Sequence, residues 1–359
     1  MIATPSAKEV RKALSEYATP ATSAGVVIFL VDIASYIAAI ALVLFAPWLI
    51  LKIIAGIFAG AKMANLATIG HDSAHNILTK SRQLNKWIAI ASFTPGLFNY
   101  RLWIYDHHNL HHHNTNELHP DSYTPLSVLE YKNLSKWQQF KYRFYRSTSL
   151  WSFGVYYIFE RWSQVKCFPR SNMPKHVQKA AWPHSLYLIV YFLAFITLLI
   201  SAPLYSKTTA LTAIVCGFII PFYIFQSLFA FTVFVQHTHP RVIWFKNKPN
   251  RNEEGRQDYI SVQLKFPKFL SLLMHHVYDH AAHHAHIGIP CYKLPEAQVK
   301  LNMLIGENAI SEPFTFAWLQ QVKRHCKLYD YENQQWLDFD GKVSKLEENT
   351  KMNKLVIYN

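Results

Sequence analysis

The sequence predicts an all-α integral membrane protein, in which four transmembrane helices form two hairpins beneath a cytoplasmic helical cap. Three observations predict this fold. Of the 359 residues, 51% are hydrophobic and only 16% are charged, which is apolar for a soluble protein. Four windows are long and apolar enough to cross a bilayer as helices, which takes about 20 residues. Sixteen of the 19 histidines fall in four short stretches, at 71–75, 107–119, 237–239 and 275–286.

The four windows are paired along the chain. They lie at about 25–46, 49–70, 185–203 and 209–235, and Pro221 is expected to kink the fourth. Very short connections join the first window to the second and the third to the fourth. Lys and Arg crowd the N-terminal tail, the segment 78–180 and everything after 240, so the positive-inside rule assigns these parts to the cytoplasm. Each histidine stretch follows an even number of crossings, so all four can meet on one side.

This topology divides the chain into three parts. Residues 1–24 form a cytoplasmic tail, and residues 25–330 form the membrane domain. Its cap comprises 71–184 and 236–330. Residues 331–359 are charged and predicted to be peripheral. Asp32 lies within the first span, where a buried carboxylate is costly. Either it has a function, or it packs against its neighbours, or the helix starts later.

Charge and cysteine usage limit the partners and the compartment. The formal charge of +14 fits anionic membrane lipids or an acidic partner, and nothing in the chain resembles a nucleic-acid-binding module. The four cysteines are far apart and form no CxxC pair, which indicates free thiols in a reducing compartment. We therefore expect a multi-pass protein of the bacterial inner membrane or the endoplasmic reticulum, with its active site facing the cytoplasm.

Three histidine boxes have the spacing of metal ligands. "HDSAH" starts at His71 and ends at His75, and both "HNLHH" and "HAAHH" have the pattern HxxHH. Positions i, i+3 and i+4 share one helical face, so each box can direct its imidazoles to one point. Neutral imidazole binds iron, zinc and copper. Eight box histidines are too many for one tetrahedral zinc, whereas two metals fit. The carboxylates that flank the boxes can orient the rings: Asp72, Asp106, Asp121 and Asp279.

These boxes resemble those of the membrane fatty acid desaturase family, and in particular its acyl-lipid, delta-12 and omega-3 type branch. The resemblance rests on "GHDSAH", "HNLHHHNTN", "HAAHH", "QHTHP" and "IPCYKLPEA", and covers roughly residues 25–300. It implies two non-haem irons that activate dioxygen as co-substrate. The implied ligands are His71, His75, His108, His111, His112, His280, His283, His284 and one histidine after the fourth span.

Two ligand positions stay open. In the second box, His107 gives the pattern HxxxHH and His108 gives HxxHH; we prefer His108 because the family pattern then continues through Thr115 and Asn116. After the fourth span His237 is the candidate, with His239 and His276 as alternatives. His119-Pro120 and His239-Pro240 lack the two glycines of a cytochrome b5 haem motif, so a separate ferredoxin or cytochrome b5 is the expected electron donor.

The predicted reaction is the insertion of a double bond into a fatty acyl chain. An alkyl C–H bond offers no handle for acid–base catalysis, so the protein must hold the metals, exclude water and position two methylenes in an apolar tunnel. Phe225, Phe229 and Phe231 are candidates for its wall. The boxes leave open a hydroxylase, epoxidase, acetylenase or carotenoid ketolase, as well as the double-bond position and whether lipid, coenzyme A or a carrier protein bears the acyl group. A histidine-rich metal transporter would need ionisable groups in several spans, and spans three and four have none.

Overall fold

Helices dominate the computed structural model, which describes residues 5–118, 121–249 and 256–344. The α-helices of these residues are α1 (Ala7–Leu14), α2 (Thr22–Phe45), α3 (Leu49–Ala74), α4 (Arg82–Phe93), α5 (Tyr100–Ile104), α6 (Val128–Asn133), α7 (Lys136–Tyr145), α8 (Trp151–Tyr156), α9 (Lys175–Ile200), α10 (Ala210–Ile214), α11 (Ile220–His237), α12 (Arg256–Tyr259), α13 (Lys268–Leu273), α14 (His280–Ala285), α15 (Leu294–Ile305) and α16 (Phe316–His325). Three π-helical segments are π1 (Tyr105–His111), π2 (Tyr157–Lys166) and π3 (Val215–Ile219). The strands are β1 (Val262–Lys265), β2 (Ile310–Pro313), β3 (Leu328–Asp330) and β4 (Gln335–Leu337).

Four long apolar helices of the described residues can cross a membrane. They are Thr22–Phe45, Leu49–Ala74, Lys175–Ile200 and Ala210–His237. Large apolar side chains cover their outer faces; Ile37 of α2, for example, is 60% exposed. Such a surface is favourable in hydrocarbon and unfavourable in water. The predicted fold class, with four membrane helices and histidine clusters, is therefore confirmed.

Close packing places α3 beside the fourth membrane helix. A Cβ atom at Gly56 would lie 2.4 Å from the carbonyl oxygen of Cys216, and one at Gly60 would lie 2.6 Å from that of Pro221. Only glycine allows the two backbones to approach this closely. Because α3 ends next to the first histidine box and α11 ends at His237, this contact also sets the distance between two parts of the site.

The membrane helices differ from the predicted windows at their ends. The third begins at Lys175 rather than 185 and contains Pro183. The fourth is not regular: π3 stands directly before Pro221. Proline lacks an N–H and its ring crowds the carbonyl four residues earlier, so a wider turn at this point relieves the clash. The first two helices match the predicted windows to within four residues.

Two small sheets and the packing of helix α1 complete the described secondary structure. β1 and β2 pair in parallel, and β3 and β4 form an antiparallel hairpin. The predicted boundary of the peripheral tail at 331 falls inside this hairpin, whose Trp336 is 3% exposed; residues 345–359 lie outside the described residues. In the N-terminal tail, α1 packs against α14 and α15 through its buried Val10 and Leu14.

Candidate metal centre

The first histidine pair stands at the end of α3. His71 lies in the last turn and His75 caps the helix, with ring centroids 4.7 Å apart. The next residue, Asn76, has a φ of 62°, a left-handed conformation that asparagine tolerates better than most residues. The helix therefore stops immediately after it has presented both rings on one face.

The second box lies on π1 rather than on a regular α-helix. The N–H of His112 donates to the carbonyl of His107 at 3.1 Å, which is the i to i+5 bond of a π-helix. This wider turn brings the Nε2 atoms of His107 and His112 to 3.0 Å. His108 points elsewhere: its ring stacks on that of His75, with centroids 4.0 Å apart.

The third box and His237 meet at the opposite side of the site. α14 consists almost entirely of the third box, and α11 ends at His237. The Nε2 atom of His280 lies 2.9 Å from that of His284 and 3.1 Å from that of His237. The Nε2 atom of His284 is 3.3 Å from that of His111 of the second box.

The described histidines thus form two clusters, in each of which the ligand atoms lie within 4.8 Å of one another. The five-histidine cluster comprises His71, His75, His107, His112 and His283, and the four-histidine cluster comprises His111, His237, His280 and His284. The clusters adjoin, since the ring centroids of His112 and His284 are 4.8 Å apart.

The geometry and the chemistry of both clusters fit bound metal ions. Two nitrogens that bind one metal at about 2.1 Å and at right angles lie about 3 Å apart, as the Nε2 pairs here do. In the described part of the chain, the Nε2 atoms of His75 and His108 are buried without a hydrogen-bond partner. A buried polar atom that lacks a partner costs free energy, which a metal bond would remove.

Four imidazoles of the site are held in the neutral form that metals require. Burial, and then the neighbouring imidazoles, lower the pKa of His107, His112, His283 and His284 well below the usual histidine value. Protons therefore compete with a metal only in acid.

Polar partners orient one ring of the five-histidine cluster and three rings of the other, where Thr115 lies 3.4 Å from Nδ1 of His284. Asp72 lies 2.8 Å from Nδ1 of His71, and Asp121 lies 2.5 Å from Nδ1 of His111. The side-chain oxygen of Asn116 is 3.1 Å from Nδ1 of His237. In each case the bond to Nδ1 leaves Nε2 directed into the cluster.

The other two flanking carboxylates have different partners. Asp279 accepts a hydrogen bond from Gln263, and Asp106 is bound by Arg161, at 2.9 Å, and by Lys166. Arg161 also lies 3.5 Å from Asp121. Burial favours the neutral acids, but Arg161 with Lys166 at Asp106, and His111 with Arg161 at Asp121, outweigh it and lower the pKa of both carboxyls. The network balances two negative with two positive charges beside the clusters.

Most of the sequence-predicted ligands come together in these clusters. The structure brings together His71, His75, His111, His112, His237, His280, His283 and His284, together with His107. It leaves His108 outside. Nε2 of His239 lies 3.8 Å from a carboxylate oxygen of Glu312, and Nδ1 of His276 lies 3.0 Å from the hydroxyl oxygen of Ser271. Neither alternative to His237 therefore joins a cluster.

Arg161, Lys166 and Asn116 were not predicted as parts of the site. No spacing connects Arg161 or Lys166 with the boxes, because π2 lies more than forty residues beyond the second box. Asn116 did carry a signal, since it belongs to the quoted motif "HNLHHHNTN".

A largely apolar cavity adjoins both clusters, with an empty volume of about 900 Å³ that includes some space open to solvent. Ala64, Ala67 and Thr68 of α3 line one wall, and Phe229 and Val233 of α11 line the other. Of the three predicted wall residues, Phe229 lines the cavity, whereas Phe225 and Phe231 pack within the core. Six clustered histidines border the cavity: His71, His107, His111, His237, His280 and His283.

Comparison with known proteins identifies similar chains in cyanobacteria and plants. The chain is 26% identical over 294 residues, 81% of its length, to an sn-1 oleoyl-lipid 12-desaturase of Synechocystis, of which it covers 79%. It is 26% identical over 252 residues to an sn-1 acyl-lipid omega-3 desaturase (ferredoxin) of the same organism, covering 69% of this chain and 66% of the relative. A chloroplastic omega-6 fatty acid desaturase of Spinacia oleracea is 23% identical over 305 residues, which cover 84% of this chain and 64% of the relative.

The family assignment rests on most of the chain. Residues 16–312 match the sequence profile of the fatty acid desaturase family. This range includes all four membrane helices and every histidine of the two clusters. The protein is a member of the fatty acid desaturase family, an oxidoreductase that acts on fatty acyl chains.

Proposed function

We propose that the two clusters hold two iron ions and that the enzyme inserts a double bond into an acyl chain in the adjoining cavity. The observation that carries the proposal is that six of the nine clustered histidines line a largely apolar cavity between two membrane helices. The proposed ligands are His71, His75, His112 and His283 for one ion, and His111, His237, His280 and His284 for the other. His107 or His108 completes the first set.

When bound, such an iron pair would activate dioxygen to remove hydrogen from an unactivated methylene. The chain's own residues hold the ligands and shape the cavity. Asp72, Asp121 and Asn116 keep the rings of His71, His111 and His237 in one orientation. Ala64 and Ala67 leave room for a chain of methylenes, and Phe229 and Val233 confine it next to the histidines and away from water.

The proposed substrate is a monounsaturated acyl chain of a membrane glycerolipid. Two lines support it: the relatives are named for oleoyl-lipid and acyl-lipid substrates, and the cavity lies between α3 and α11, next to the bilayer. Desaturation toward the methyl end, as in the 12-desaturase relatives, is the proposed reaction.

We propose that electrons come from a separate, acidic protein on the side of the membrane where the clusters lie. The net charge of +14 suits an acidic donor, and one relative is named for ferredoxin. The distribution of Lys and Arg assigns this side to the cytoplasm. A ferredoxin is the first donor to test and cytochrome b5 is the second.

Expression in a host that makes oleate but no polyunsaturated lipids tests the proposed reaction. Profiling of the fatty acids, with the double bonds located by mass spectrometry, should show a new diunsaturated product in the glycerolipid fraction. A hydroxylated, acetylenic or epoxidised product instead would identify a different oxidation at the same site. Analysis of metal-replete purified protein should find two irons per chain; a single zinc with full activity would refute the metal assignment.

A further inference from the structure

A buried group of three charged and polar side chains lies outside the metal centre. Asp32 of α2 is 1% exposed, and its carboxylate accepts from the ammonium group of Lys62 of α3 at 2.7 Å. The other carboxylate oxygen bonds to Nε2 of His275. An ion pair between two membrane helices is costly to bury and needs both partners. Here Asp32 of the ion pair also binds His275, which lies in the segment that precedes the third box.

The segment that Asp32 holds has an unusual backbone. His275 and His276 have φ values of 50° and 54°, so two consecutive non-glycine residues adopt the left-handed conformation. Such a conformation persists only where surrounding contacts determine it. The contacts are the bond from His275 to Asp32 and the bond between His276 and Ser271 at 3.0 Å. Asn65 of α3 adds a bond to the carbonyl of Leu273, at 2.7 Å.

The strained turn leads directly into the third box. Val277, which follows it, accepts a hydrogen bond through its carbonyl from Gln236 at 2.8 Å and also lines the cavity. α14 begins three residues later at His280. The contacts of the turn with α2 and α3 therefore fix the position of the first residue of α14, His280, relative to His237.

We propose that Asp32, fixed by Lys62, is a positioning residue for the third histidine box, which it holds through His275. The proposal rests on the proposed metal function of the clusters. The effect of losing this tether should differ between the two histidine clusters. α14 supplies two of the four histidines of the four-histidine cluster but only one of the five in the other. Loss of the tether should therefore weaken metal binding mainly at the four-histidine cluster.

The test compares His275→Phe, which cannot donate to Asp32, with His275→Gln, whose amide can. Two measurements are made on the folded, monodisperse fraction: iron per chain, and hydrogen exchange of residues 276–286 in metal-free protein. For His275→Phe we expect faster exchange and roughly 10-fold to 100-fold weaker metal binding, as for other residues that orient ligands, so that iron falls from two toward one per chain. His275→Gln should retain most of both properties.

A second pair of variants guards against misfolding of His275→Phe. The double variant Asp32→Asn with Lys62→Met removes both charges but keeps an acceptor for His275, so it should exchange more slowly and retain more iron than Lys62→Met alone. Lys62→Met alone leaves Asp32 buried without its cation and should loosen the turn. Lys52→Met is the matched control, because Lys52 is also buried on α3 but bonds to the carbonyl of Val43 and to Thr208.

The two readouts separate the failure of this inference from that of the proposed function. Unchanged exchange and unchanged iron binding in His275→Phe would overturn the tether. Fewer than two irons in the unaltered protein, together with faster exchange in His275→Phe, would support the tether and refute the proposed metal centre. An equal loss in Lys52→Met would attribute the effect to any buried lysine and would also overturn the proposal.

Discussion

The two histidine clusters differ in how firmly their side chains are held. In the four-histidine cluster, three of the four histidines are buried, and Asn116, Asp121 and Thr115 bind the far sides of three rings. In the five-histidine cluster only His283 is buried, and Asp72 binds one ring. A buried cluster with fixed rings is rigid, whereas a less completely buried cluster with an extra nitrogen nearby can accommodate more than one ligand set.

This difference indicates that the two clusters do not depend equally on each of their histidines. The five-histidine cluster includes the part of π1 where His107 and His108 both approach His75, with ring centroids 5.3 Å and 4.0 Å away. The four-histidine cluster has no such spare histidine among the described residues. Ligand loss should therefore be tolerated differently at the two clusters, and variants can test this.

Removal of a four-histidine-cluster ligand should have the largest effect. His284→Ala leaves three nitrogens in a buried space, and the four-histidine cluster has no further histidine among the described residues. We expect loss of product below detection, a larger effect than the roughly 10-fold to 100-fold typical of residues that only orient ligands. Fatty-acid profiling measures it, with His176→Ala and His325→Ala as controls that keep activity. Substantial product from His284→Ala would remove the distinction between the clusters.

Variants of the second box should show which residue completes the five-histidine cluster. If the π-helical turn persists with metal bound, His107→Ala should lower iron binding and product at least about 10-fold, while His108→Ala should have a smaller effect. The reverse order would mean that the segment adopts α-helical spacing around the metal, as the sequence-based preference for His108 assumes. Iron analysis and product yield in the same preparations decide between them.

The sequence predicted the membrane helices and most of the site because both depend on local patterns. Runs of about 20 apolar residues and the HxxxH and HxxHH spacings can be recognised without knowledge of tertiary contacts. The positions of His71, His75 and His237 at the ends of membrane helices follow from the same runs.

What the sequence could not predict depends on contacts between distant residues or on departures from regular helix geometry. The HxxHH interpretation assumes α-helical spacing, whereas the hydrogen bond from His112 to His107 skips five residues. Arg161 reaches Asp121 across 40 positions, and Val262 pairs with Ile310 although three α-helices lie between them in sequence. Asp32 had three interpretations, and its partners His275 and Lys62 became visible only in the fold.

A smaller effect is expected from the carboxylate that orients His111. Asp121→Asn keeps a hydrogen-bonding group but removes the charge that holds His111 and Arg161. Metal affinity of the four-histidine cluster should fall roughly 10-fold to 100-fold, while the five-histidine cluster keeps its metal. Competitive chelation, followed as iron per chain, measures this. Asp279→Asn is the control, because Asp279 bonds to Gln263 rather than to a cluster; equal losses in both variants would contradict the assigned role.

The smallest effect is expected on acidification, which should lower the stability of the metal-free protein before it separates the two clusters. Burial and neighbouring rings lower the pKa of His283 and His284, and burial and then His71 lower that of His108 to about 4. Because these folded-state values lie below the ordinary value of about 6.5, the folded state binds fewer protons than the unfolded state. Metal-free protein should therefore keep its full stability above about pH 6.5 and lose up to about 1.4 kcal/mol per histidine per pH unit below it.

Bound metal should delay this loss, and the clusters should release their ions in order. Water and protons reach the less completely buried five-histidine cluster more easily, so its iron should leave at a higher pH than that of the other cluster. A titration from about pH 7 toward about pH 4, with iron per chain measured after each step, should pass through a plateau at one iron. Asp121→Asn should shorten the plateau by loosening the buried cluster. Simultaneous release of both ions in the unaltered protein would show that the two clusters act as one unit, and would contradict the contrast in rigidity drawn from their burial and ring contacts.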